Sequence, residues 1–192
     1  MNNNNSSYTS ITLNDYFWDT AIERVKESPI YDGSHRGKQA NEVGFLGEIV
    51  AEAWFNKHRL LFQDDRSKTT HDYILNKKIT LDVKTKDRTV IPRTNFDNSV
   101  PLYNHNHQRP DYYLFISLLR DKQFDDDDIR RFKKAFIVGS IDIETLESTG
   151  KTWKAGEIDP SNKTKFWTDC INIPMDKLIP LNKTIKILTQ PN

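Results

Sequence analysis

Apolar positions recur every three or four places in the first third of the chain and every second place after it. In "TLNDYFWDTAIERVKES", Leu13, Phe17, Ala21 and Val25 lie four apart, which predicts an amphipathic helix ending near Pro29. Thr12, with Asp15 three residues on, reads as its capping box. A polar loop, "YDGSHRGKQAN", leads to a stronger helix, "EVGFLGEIVAEAWFNKH". There Phe45, Leu46, Ile49, Val50, Ala53 and Trp54 form a broad apolar stripe, with Glu48 and Glu52 one turn apart beside it.

From residue 61 the period is two. "LLFQ", "HDYIL" and "KKITLDVK" read as strands, the last two joined by a tight turn at Asn76-Lys77. Residues 87–110 carry Pro92, Pro101 and Pro110 and read as a long loop with a strand extension at 88–91; loops of that length often carry function. "DYYLFISLL" is a near-continuous apolar run, hence a strand buried on both faces. "KAFIVGSIDIETL" reads as a further strand with a bulge at Gly139, and "DCINIPMDKLIPL" as a strand followed by a turn of helix. "FDDDDIRRFKK" is a solvated turn or helix start, lacking the glycine and terminal glutamate of a calcium loop. The expected organisation is a disordered polar lead at 1–10 and one domain over 11–192, with a core at 41–143 and a C-terminal extension at 144–192. The fold class is α/β (α+β), a central mixed sheet of four to six strands flanked by helices.

Composition narrows the class. With 36% hydrophobic and 11% aromatic residues and a mean hydropathy of −0.72, the chain can bury one core and reads as soluble and globular. The single cysteine, Cys170, excludes an internal disulfide and a cysteine-rich zinc site; within "DCINIP" it reads as a buried, inert thiol. No segment approaches the ~20 apolar residues that span a bilayer. The N-terminus lacks the basic and apolar regions of a signal peptide, so no membrane partner and a cytoplasmic location are expected. A formal net charge of +1 gives no global signal for nucleic acid, but residues 57–93 carry ten Lys or Arg against five Asp or Glu.

Candidate chemistry centres on that basic stretch. On a strand, Asp82 and Lys84 point to one face and Leu81 and Val83 to the other. The tight turn brings Asp72 alongside, and Glu48 stands at the edge of a packed helix. Three carboxylates and a lysine suit metal-assisted phosphodiester hydrolysis. Hard oxygen ligands are what Mg2+ prefers, a bound ion acidifies water, and a lysine stabilises developing charge. The same alternation also describes the wet face of any hairpin, so spacing alone leaves both readings open.

Glu48 on its helix, Asp72 on a second strand and "DVK" at 82–84 on a third resemble the PD-(D/E)XK nuclease superfamily, the restriction-endonuclease-like fold, in its phage or restriction-type members. The likeness covers 41–119, with "GFLGEIVAEAWF" as the first core helix and "DYYLFISL" as the strand after the site. The resemblance implies a metal-dependent deoxyribonuclease, an endonuclease using Mg2+ or Mn2+. Asp72 and Asp82 would be metal ligands, Glu48 a ligand or supporting carboxylate, and Lys84 the catalytic lysine. Two departures stand out. His71 rather than proline precedes Asp72, and no crossover helix is legible in 87–110, where either a short helix around "YNHNHQR" or a remodelled loop is expected.

On DNA, Arg36, Lys38, Lys86, Arg88 and Arg93 would meet phosphates. His105 and His107 would lie in a DNA-facing loop; an HNH-type metal site is disfavoured because Pro110 and a buried strand follow. His71 would point away from the site in a structural role. Trp153 and Trp167 are either core anchors or platforms for unpaired bases. Cutting both strands of a duplex would need a homodimer or sequential nicking. The alternatives are a nucleic-acid-binding or assembly protein on the same fold without catalysis, and a nuclease acting on RNA.

Overall fold

The computed structural model describes residues 8–27, 38–102, 107–125 and 127–189. In chain order the elements are β1 (Thr9–Thr12), α1 (Asp15–Glu27), α2 (Lys38–Lys57), β2 (Phe62–Asp64), β3 (Tyr73–Leu75), β4 (Ile79–Arg88) and β5 (Asp97–Pro101). There follow β6 (Tyr112–Arg120), β7 (Phe132–Asp142), α3 (Ile143–Thr149), β8 (Lys151–Trp153), β9 (Cys170–Pro174) and α4 (Leu181–Thr189). The architecture is mixed α/β. Six strands in the order β1-β7-β6-β4-β3-β2 form a mixed sheet in which β4 and β6 are parallel and the other neighbours antiparallel.

Local chemistry explains most of these elements. The β3–β4 turn is where the sequence places it: Asn76 and Lys77 take φ of 50° and 63°, and the Lys78 N–H donates to Leu75 O at 3.1 Å. Paired positive-φ residues give the twist that antiparallel strands need. β6 is central, and Tyr113, Leu114, Phe115 and Ile116 are buried whichever way they point. The expected bulge in β7 is present: Gly139 has φ 144°, and the β6–β7 register shifts beside it.

Alternation divides the core. One face of the sheet, with Leu81, Val83, Leu114, Ile116, Ala135 and Ile137, packs against α1, α2 and α4. The opposite face, with Tyr113, Phe115, Phe136 and Val138, is covered by a second sheet of order β5-β9-β8. Among the described residues no helix is long and apolar enough to cross a membrane.

The structure corrects the sequence expectations at four places. Strand β1 begins at Thr9, so the last two residues of the expected polar lead belong to the sheet; residues 1–7 lie outside the described residues. Thr12 ends that strand, and α1 is instead started by Asn14, whose carbonyl accepts the Phe17 N–H at 3.0 Å, so the Thr12–Asp15 box does not form. The 87–110 loop contains β5. The strand extension stops at Arg88, and no helix occurs among the described residues of the β4–β6 connection. Finally, "IDIETL" leaves the strand at Asp142, whose side chain accepts the Thr145 N–H at 2.8 Å and caps α3.

Helix α2 approaches β4 closely at Gly47. A Cβ there would fall inside the van der Waals envelope of the Thr85 side chain, whose buried Oγ1 has no hydrogen-bond partner. Gly47→Ala is expected to cost about 1–3 kcal/mol by overpacking, offset in part by the ~1 kcal/mol better helix propensity of alanine. Adding Thr85→Ala removes the closest atom and should recover part of the loss, while Thr85 Cβ, 2.9 Å from the new methyl, keeps the rest; urea denaturation of both variants checks this.

Candidate active site

Asp72 stands at the mouth of the β3–β4 hairpin. Its N–H donates to Leu81 O at 3.1 Å while Tyr73 is paired with the same Leu81. This is the two-against-one match of a β-bulge, which re-aims a side chain at a strand end. The re-aimed carboxylate lies against the Asp82–Val83 peptide, Oδ2 accepting the Val83 N–H at 2.6 Å. Asp82 is 2% exposed, and its Oδ2 lies 2.5 Å from Lys84 Nζ. Lys84 sits over the Tyr113 ring at 5.9 Å. Leu81 and Val83, on the other side of β4, pack into the core. On the charged face of this hairpin Asp82 is thus buried, and Asp72 and Lys84 are half-buried.

Glu48 reaches the same region from α2, one residue after the close approach at Gly47. Its Oε2 accepts from Arg66 Nη1 at 2.6 Å, and Arg66 also grips Asp64, with Nε 2.9 Å from Oδ1. One turn later on α2, Glu52 accepts from the Tyr73 hydroxyl at 2.7 Å and from Arg24 of α1 at 2.7 Å.

The electrostatics join these groups. Burial pushes the Glu48 carboxyl above its ordinary range; Arg66 pulls it back in part, and the charge of Asp82 adds to the rise. Asp72 is raised further, first by burial, then by the charges of Asp82 and Glu48. Lys84 behaves in the opposite sense. Burial works against its charge, but Asp82 and then Asp72 outweigh that and hold the ammonium above the usual lysine range. Tyr113 beside it is pushed up to about 12, by burial and by Asp82.

Among the described residues no group of three or more His, Cys, Asp or Glu side chains is arranged to hold an ion. The carboxylates available are two. Asp72 uses one oxygen on the Val83 N–H, and Asp82 Oδ2 has no hydrogen bond beyond its ion pair with Lys84. Glu48 is turned to Arg66. Mg2+ commonly takes one or two carboxylates and completes its shell with waters and phosphate oxygens. The repulsion that Asp72 takes from the charge of Asp82 is also what a divalent cation relieves. The donor set fits such an ion.

The remaining sequence candidates are dispersed. Lys86 Nζ contacts Asp97 O and Ser99 Oγ at 3.3 Å. Arg88 donates to Ser117 Oγ at 2.9 Å and to Asp97 O at 2.7 Å, so both cations tether β5. Arg93 is exposed in the following loop. His107 Nε2 is 2.9 Å from Thr69 Oγ1, and His71 is 3.0 Å from Asp65. Arg36, His105 and the side chain of Lys38 lie outside the described residues. Sequence reasoning missed Arg66 and Tyr113. Arg66 is one of several basic residues in its stretch, and Tyr113 is hidden in an apolar run whose register with Asp82 only the sheet reveals. The sequence matches no protein-family model, and no curated protein is significantly similar to it.

The raised Asp72 fixes a sign. Its proton favours the folded state, so its contribution is fully present below the ordinary aspartate pKa and is lost as pH rises through the raised folded value. Asp72→Asn keeps an acceptor for the Val83 N–H and removes the repulsion. In EDTA it should raise the melting temperature at neutral pH, with the gain fading toward about pH 4; thermal melts across that range measure it.

Proposed function

We propose that this chain is a metal-dependent deoxyribonuclease of the restriction-endonuclease-like fold, an endonuclease that hydrolyses phosphodiester bonds at a site made by Glu48, Asp72, Asp82 and Lys84. The observation that carries this reading is the ion pair of buried Asp82 with half-buried Lys84 at 2.5 Å, with the Asp72 carboxylate beside it on the next peptide. A half-exposed structural hairpin does not need three mutually repelling carboxylates in one place. The order α2, β2, β3, β4, with the glutamate on the helix and Asp-x-Lys on the third of these strands, supports the fold.

Asp72 and Asp82 would hold Mg2+ or Mn2+, with Glu48 supporting them. The bound ion would supply an acidified water and neutralise charge at the scissile phosphate. Lys84 is charged at neutral pH and so serves as a donor, not as a base. An ammonium has three donor positions; Asp82 takes one, and the others are free for a phosphate oxygen or the attacking water. Tyr113 floors the lysine and limits its swing.

The test is cleavage of supercoiled plasmid, and of RNA in parallel, with Mg2+, Mn2+ or EDTA. Wild type should cut DNA only with a metal, and Lys84→Ala and Asp82→Asn should each lose on the order of 10²-fold or more. Metal-dependent cutting that survives both substitutions, in protein that melts normally, removes the site. Binding without cutting under every metal favours a non-catalytic protein on this fold.

A further inference from the structure

Between β8 and β9 the chain makes a short two-stranded arm, residues 154–169. Ile158 bridges Lys165 antiparallel, the Asp159 N–H donates to Thr164 O at 2.8 Å, and the Phe166 N–H donates to Glu157 O at 2.9 Å. Asp159 fastens the tip by accepting from the Ser161 N–H at 2.8 Å, the Ser161 hydroxyl at 2.7 Å and Asn162 Nδ2 at 3.1 Å. Alternation then sorts two faces. Phe166 turns inward and stacks on Trp153 at 4.7 Å, beside Cys170. Lys165 and Trp167, on either side of Phe166, emerge on the outer face, joined by Ile158 across the bridge. Trp167 is 68% exposed and Ile158 is 56% exposed. The inner face alone anchors the arm, so its own packing does not require these two apolar side chains.

The charges on the arm are also sorted. Glu157 accepts the Lys154 N–H, Asp159 holds the tip, and Asp169 accepts Lys154 Nζ and the Ala155 N–H, each at 2.8 Å. All three carboxylates are thus engaged locally. Lys163 and Lys165 are exposed and have no carboxylate partner among the described residues, and Lys165 Nζ lies 4.8 Å from the Trp167 ring centroid. An exposed indole with one lysine over its ring keeps its other face open to stack on a base while the ammonium meets a backbone phosphate. A purely apolar protein partner would use Trp167 and Ile158 but would have to desolvate the lysines.

The root of the arm is joined to β4 through β5. Arg88 reaches Asp97 and Asn98, and Lys86 reaches Asp97 and Ser99, so the basic end of β4 lies against β5. Pro101 pairs with Cys170, and Cys170 with Trp153, where the arm begins.

We propose that the outer face of this arm, Ile158, Lys165 and Trp167 with Lys163 at the tip, binds an unpaired stretch of nucleic acid. Trp167 stacks on a base and the lysines contact phosphates, so the protein prefers substrates with a single-stranded segment. This rests on the nucleic-acid reading of the site. Because Trp18, Trp54 and Trp153 are buried, the exposed Trp167 dominates any ligand-induced change in intrinsic fluorescence.

The experiment titrates the full-length protein, in EDTA, with a pyrimidine single strand and with a duplex of equal length. The single strand should quench the fluorescence. By anisotropy, Trp167→Ala should bind it roughly tenfold more weakly, and Trp167→Phe should retain most of the affinity. Duplex affinity should change little in either variant. Single-strand affinity unchanged in Trp167→Ala, an equal loss for single strand and duplex, or no quenching by any nucleic acid overturns the proposal. Because EDTA suppresses metal-dependent cutting, the two readings fail separately. Quenching without cleavage under any metal rejects only catalysis, and cleavage without quenching rejects only the arm.

Discussion

The seating of α2 on β4 is the constraint on which the rest of this structure depends. A side-chain-free position at Gly47 lets helix and strand backbones close on each other over Thr85. The helix cannot rotate away, because Leu46, Ile49, Val50 and Trp54 are fully buried along the same stripe. Glu48, the next residue, is thereby delivered to the hairpin mouth whatever it costs electrostatically. The carboxylate cluster is then a consequence of helix packing combined with the bulge at Asp72, two features with no electrostatic motive of their own.

Around that cluster, opposite charges are placed so that the burden stays local. Arg66 bridges Glu48 and Asp64, and Lys84 pairs with Asp82 while its charge also favours ionised Asp72. Glu52, one turn along, is engaged by Arg24 and Tyr73, which ties α1 to the hairpin through α2. Like charges held together inside a core oppose folding, and they persist only where surrounding packing over-determines them. Here the surrounding packing is the largest apolar cluster among the described residues, which includes Tyr73, next to Asp72, and Leu81 and Val83, on either side of Asp82.

What could be read from the sequence followed from local rules. Asn76-Lys77 announced its turn, the apolar run at 112–119 its doubly buried strand, and the Asp82–Lys84 spacing its shared face. What stayed hidden depended on partners distant in sequence. Strand β5 buries Asn98 and Val100, so one of its two inward positions is polar and no apolar alternation marks it; its pairing partner is β9, near the far end of the chain. Helix α3 was masked because Asp142 ends a strand and caps a helix within the same apolar stretch. Lys86 and Arg88 carried a basic signal that the structure directs inward to β5, since alternation sets which face a side chain takes but not what waits there.

The route of the chain from β4 to β6 also sets an order of assembly. A crossover helix would draw its main-chain hydrogen bonds from its own residues. The strand that replaces it cannot, because its main-chain hydrogen bonds come from Cys170–Pro174. During synthesis the six-stranded sheet can close once β7 is available, while its underside, with Tyr113, Phe115, Phe136 and Val138, waits for the last quarter of the chain. Contacts of such long sequence separation form late, and an apolar face uncovered in the interval is a surface on which nascent chains associate.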